Sequence, residues 1–164
     1  MPRKLNVSIG PEPFESEDAR GLLLAQEAEL AGVYPPGERF LTVDPAVFEE
    51  ARARFLVARA DGRAVGCGAV IRRDEHTGEV KRMYVAPALR RQGVASAILR
   101  QLEAWAAQTG LRRLVLETGE RHAGPVDLYR GAGYVAIPRF GEYLTSQSSR
   151  CFEKTLVPNA EGAR

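Results

Sequence analysis

Arg90 and Arg91 stand just ahead of Gly93, where an amphipathic helix begins in the run "VAPALRRQGVASAILRQLEAWA". A helix start normally attracts a capping oxygen and acidic side chains, because its free N–H groups carry partial positive charge. Two cations at that position call for negative charge from outside the chain, and a bound phosphate supplies it. The small residues Gly93 and Ala95 let such an anion approach the backbone, and the guanidinium groups add charge-assisted contacts. The alternative is a solvated surface turn. Two other phosphate cradles are excluded by type: no Gly-Lys-Ser/Thr run follows, and no third spaced glycine completes a dinucleotide fingerprint.

The remaining reactive side chains form no second centre. His76 and His122 lie far apart, which gives no metal-ligand spacing, so no metal is expected. Cys67 and Cys151 sit inside apolar runs and read as buried, reduced thiols.

The elements that must position the cradle follow from pattern. "KLNVSIG" alternates as a strand, and Ser16 caps a helix with Glu17 and Asp18 in its first turn. Ala19, Leu22, Leu23 and Leu30 form that helix's inner face, and Gly32 ends it. "YPPGERFL" is a loop, with a short helix expected over Pro45 to Arg52. Arg54–Ala60, Ala64–Arg72 and Glu79–Val85 read as an antiparallel meander turned by "ADGR" and "DEHTGE". The helix of the opening stretch buries Val94, Ile98, Leu102, Trp105 and Ala106. "RRLVLET" is a buried strand, Pro125 starts a short helix, and "YVAIP" and "SRCFEKTL" close the chain as strands. The expected fold class is α+β: an antiparallel meander, then β-α-β-α-β, giving a mixed sheet with helices on both faces. Residues 1–157 are expected to form one domain, with 158–164 a flexible tail.

With both flanks in place, "EVKRMYVAPALRRQGVASAIL" resembles the acetyl-CoA motif of the GNAT superfamily of N-acetyltransferases. "DLYRGAGY" resembles that family's second signature, and the order of elements is similar from Leu5 to Leu156. The resemblance implies acetyl-CoA as cosubstrate. Its pyrophosphate would lie on the backbone amides of Arg91, Gln92, Gly93, Val94, Ala95 and Ser96, with Arg90 at the first motif position. Met83 and Val85 would offer backbone groups to the pantetheine arm, and Tyr129 would stand near the CoA sulfur and protonate the leaving thiolate. Glu79 matches a position at which some members place a general base, and the Val85 amide would serve the oxyanion.

The resemblance also implies acceptor contacts on the first helix, its following loop and the loop before the last strand. Tyr34, Arg39, Arg139 and Tyr143 are the candidates there, with Arg82 on the central strand. Arginines with tyrosines suit a small amine carrying a carboxylate, such as an amino acid. A peptide N-terminus or lysine is the alternative acceptor, and a CoA-sensing module without turnover is the alternative activity. The family often carries an asparagine before the last helix; "ETGERHAGP" has none, and Arg121 and His122 are expected in an exposed loop, with a place lining the site as the alternative.

Net charge is +2, with 45% hydrophobic and 27% charged residues, so no nucleic-acid partner is expected. The basic triplets "IRR", "KRM" and "LRR" are scattered over different elements. No apolar run spans a membrane and no leader pattern opens the chain, so a cytoplasmic location is expected. A homodimer through the last strands is compatible with the pattern.

Overall fold

A computed structural model describes residues 4–49 and 52–157. Among these residues seven strands form one sheet in the order β1-β2-β3-β4-β5-β7-β6. Strands β1 (Val7–Pro11), β2 (Ala53–Ala60), β3 (Arg63–Arg72) and β4 (Thr77–Val85) are antiparallel neighbours. Strand β5 (Arg113–Gly119) joins β4 in parallel, after the crossover helix α3 (Val94–Gln108). The mixed sheet expected from the sequence is present, with one topological detail added. Strand β7 (Ser149–Thr155) inserts between β5 and the short edge strand β6 (Val135–Ile137).

Period-two alternation sends β2 and β3 side chains to opposite faces. Phe55, Val57, Cys67 and Ala69 pack beneath helix α1 (Glu17–Ala31), against Ala19, Leu22 and Leu23. Leu56, Ala58, Val70, Val80, Leu114 and Leu116 pack on the other face against Ile98, Leu99 and Leu102 of α3. Helix α4 (Ala123–Gly131) contributes Tyr129 to that second layer.

Ser16 caps α1 by accepting from the Ala19 N–H at 3.2 Å. Gln26, and not the half-buried Leu30, completes the inner face of α1. Trp105 is likewise half-buried at the edge of the α3 layer. Helix α4 starts at Ala123, two residues ahead of the expected proline start, with Pro125 inside its first turn. Helix α2 covers Ala46–Glu49. Pro45 and Arg52, the expected ends of that helix, are not helical, and residues 50–51 and the tail at 158–164 lie outside the described residues. Among the described residues no helix is long and apolar enough to cross a membrane.

Candidate active site

The two central parallel strands pair for four residues only, Thr77–Val80 with Arg113–Leu116. Beyond Val80 and Leu116 they part. One cause is visible in β4, where the register against β3 shifts between Cys67 and Ala69, and Arg82 adopts a left-handed φ of 59°. That bulge bends the strand away from β5. The parted edges, Lys81–Val85 and Glu117–Gly119, line a cavity of about 670 Å³.

At the far end of β4 the backbone is aimed into the gap. The Ala86 N–H donates to the Val65 carbonyl at 2.8 Å, so Val85 turns its own N–H and C=O away from β3. The Val85 carbonyl accepts from Arg90 Nε at 2.8 Å, and the Met83 carbonyl accepts from Gln26 Nε2 at 2.9 Å. The Val85 N–H is thereby left facing the cavity.

The turn before α3 carries left-handed residues at Arg91 (φ 63°) and Gly93 (φ 83°). Such a turn makes a concave backbone surface lined by N–H groups. Helix α3 has no side-chain cap and no acidic residue in its first turn, so the amides of Val94, Ala95 and Ser96 lack intrahelical partners. A Cβ on Gly93 would meet nothing within 4 Å, which shows open room over the turn. These features fit a diphosphate. The Arg90 side chain is tied inward, to Glu29 at 2.6 Å and to Val85, whereas Arg91 is exposed and has no ion-pair partner among the described residues. Gln92 folds back on the Ala88 carbonyl at 3.3 Å and does not line the cavity.

On α4, Tyr129 is buried, lines the cavity and makes an edge-to-face contact with Tyr134 at 5.7 Å. Burial, followed by the charge of Glu117, pushes its phenol above the ordinary value, so it stays protonated. The Tyr134 hydroxyl donates to Glu103 at 2.8 Å, and Lys154 donates to the same carboxylate at 3.1 Å. That link ties the segment after α4 to α3 and β7.

Glu79 is 1% exposed, and its carboxylate is held by one hydrogen bond and one ion pair, with Oε1 accepting no hydrogen bond. Oε2 accepts from the Tyr143 hydroxyl at 2.6 Å, and Oε1 lies 2.9 Å from the Arg73 guanidinium. Glu79 does not line the cavity; Glu117 does. Sequence reading placed Glu117 inside a buried strand and missed it. The signal was there: Leu114 and Leu116 belong to the α3 layer, so Val115 and Glu117 must face the opposite side. Burial pushes the Glu117 carboxyl up to about 7; Lys81 and Ser149 pull it down, while Glu79 and Glu142 push it further up.

Of the expected acceptor contacts, Tyr34, Arg39, Arg82 and Tyr143 line the cavity, and Arg139 does not. Arg139 instead donates to the Ser146 carbonyl within its own loop. The Arg82 side chain is buried under α1, donating to Glu27 at 2.9 Å. Arg121 and His122, expected in an exposed loop, also line the cavity. The Tyr34 hydroxyl accepts from the Arg121 N–H at 2.9 Å, and Arg121 Nη1 donates to Val33 at 2.7 Å. Gly119 has no side chain because the Tyr34 hydroxyl occupies that space. Among the described residues no group of three His, Cys, Asp or Glu could hold a metal.

Residues 20–134 match the sequence model of the Acetyltransferase (GNAT) family. The chain belongs to the GNAT family of acetyltransferases. This GNAT protein is 36% identical over 152 residues to an IAA acetyltransferase of Azospirillum brasilense, covering 92% of this chain and 99% of the relative. A solved structure from Klebsiella pneumoniae, assigned provisionally as an acyl-CoA N-acyltransferase, superposes with a TM-score of 0.79 at 29% identity. That match covers 92% of this chain and 98% of the other. A GNAT acetyltransferase from Elizabethkingia anophelis with acetyl-CoA bound shares the fold, with a TM-score of 0.67 at 19% identity over 92% and 99% of the two chains. The GNAT fold expected from the motifs is thus shown, and with it membership of an N-acetyltransferase family.

Proposed function

We propose that this protein transfers an acetyl group from acetyl-CoA to the primary amine of a small molecule, with Glu117 as general base. One observation carries the reading: Glu117 is the first residue of β5 beyond the last β4–β5 pair, so a partly protonated carboxyl stands where the strands part. The acetyl-CoA bound to the Elizabethkingia relative supports the choice of donor.

The turn from Arg91 to Ser96 holds the diphosphate through backbone amides, and the β4 edge at Met83–Val85 receives the pantetheine as an added strand. The Val85 N–H points at the thioester oxygen and stabilises it as negative charge develops. Glu117 accepts a proton from the incoming ammonium, and the neutral nitrogen then attacks the carbonyl carbon. As the C–S bond breaks, the electron pair leaves with sulfur, Tyr129 donates a hydrogen bond to it, and the second proton shed by the attacking nitrogen passes to the thiolate, giving the amide and free CoA thiol. A phenol pushed upward by burial is a weaker acid than a thiol with a pKa of about 8.5, so Tyr129 steadies the thiolate without fully protonating it. Neither cysteine is needed as a nucleophile.

The test is thiol release from acetyl-CoA across a panel of amino acids, polyamines, aminoglycosides and short peptides. Release with a small amine, slowed in Tyr129→Phe with CoA affinity retained, is the expected result. CoA binding without release from any amine would overturn the catalytic reading and leave a CoA-binding module.

A further inference from the structure

One residue beyond the last β4–β5 pair, Val80–Leu116, stand Lys81 on β4 and Glu117 on β5. Val80 and Leu116 belong to the α3 layer, so Lys81 and Glu117 both face the other side of the sheet, where the acceptor cavity lies. The Lys81 side chain is 8% exposed, yet its contacts are loose. Its Nζ lies 3.4 Å from Glu142, 3.4 Å from the Tyr143 hydroxyl and 4.0 Å from Glu79. Glu79 is already matched by Arg73 and Tyr143. A buried ammonium with only long contacts retains donor capacity for a ligand.

We infer that Lys81 and Glu117 together receive the two charged groups of a free α-amino acid, Lys81 taking the carboxylate and Glu117 the amine. This rests on the acetyltransferase reading above and narrows its acceptor. Phe40 and Leu41 supply an apolar wall to the same cavity, with Phe40 edge-on to the Tyr143 ring at 4.9 Å. The side chain accepted is therefore apolar or aromatic. Charge balance favours the same class. With Glu117 ionised to receive the ammonium, Lys81 is left as the cation that meets the substrate carboxylate, while Arg73 pairs with Glu79. A polyamine would set a second cation against Lys81, and a peptide N-terminus has no carboxylate beside its amine.

The experiment compares kcat/KM for phenylalanine and leucine with their carboxamides, and with aspartate and lysine as free amino acids. Each free apolar amino acid is expected to exceed its carboxamide by about tenfold or more, the value of a charge-assisted contact. Lys81→Met should bring that ratio close to one, and Lys81→Arg should keep most of it. Calorimetry of N-acetylphenylalanine against its amide, with CoA present, reads the same preference without turnover. Equal rates for acid and amide would overturn the inference while leaving the acetyltransferase reading intact. A preference that survives Lys81→Met but is lost in Arg39→Met would also overturn it, placing the carboxylate at the cavity rim. Absence of release from every amine would remove the underlying reading, and this inference with it.

Discussion

The Tyr143 hydroxyl donates a 2.6 Å hydrogen bond to the buried carboxylate of Glu79, joining the loop before β7 to the central strand. Burial, then the adjacent Glu79 charge, raises the Tyr143 phenol above its ordinary value, so the bond keeps its donor at all physiological pH. Together with Arg73 it commits Glu79 to holding the loop in place. That commitment is the physical reason to give the proton-accepting role to Glu117.

Tyr143→Phe removes the donor and leaves Glu79 Oε2 buried with a weaker partner. The expected loss is about 2 kcal/mol of stability. Urea unfolding should show a lower midpoint with an unchanged slope. An unchanged midpoint would mean that Lys81 or water takes over the vacated contact.

Glu117→Gln should lower kcat/KM by about 10²- to 10⁴-fold, the usual worth of a positioned base. In the unaltered enzyme the rate should climb as pH rises through about 7, because the carboxyl must ionise to act. The variant should lose that inflection. A profile that keeps it would assign the titration to another group.

The same substitution should stabilise the fold at alkaline pH. The folded protein holds the Glu117 proton up to about 7, against an ordinary value of 4.5, so the destabilising charge sets in as pH rises between those values. Above pH 7 the gain from Gln should be on the order of 2 kcal/mol; below 4.5 it should vanish. Thermal melts of both proteins at pH 4 and pH 8 check the sign.

Gly93→Asp places a carboxylate beside the anion turn and forces a non-glycine residue to φ 83°. CoA affinity should fall by about tenfold or more. Gly93→Asn, which tolerates the left-handed conformation and carries no charge, should retain most of it. Calorimetric titration with CoA separates strain from repulsion.

Cys67 is fully buried and pushed up to about 12 by that burial, and burial likewise raises Cys151. Neither thiol should react with a disulfide reagent in the native protein, and both should react in strong denaturant. Colorimetric titration in the two conditions counts them.

Much of this fold could be read from residues with local physical meaning. The Asp61–Gly62 pair adopts φ of 49° and 85°, the hairpin turn expected between β2 and β3. Ser16 caps where a serine before two acids should, and Gly93 takes the left-handed start of α3. What could not be read depends on distant partners. The bulge at Arg82 appears only against β3, and the parting of β4 from β5 is a property of the pair. Arg90 looked free beside Gly93 because Glu29, its partner, is 61 residues away. Glu79 and Glu117 are both glutamates on central strands; Tyr143 and Arg73 occupy one, and open space faces the other.

The short pairing between β4 and β5 leaves a seam through the middle of the sheet. Backbone amides from Lys81 to Val85 should exchange with deuterium sooner than those of Thr77–Val80, although both lie on one strand. A thioester donor seated there would act as a missing strand, and slower exchange along that stretch would record its arrival.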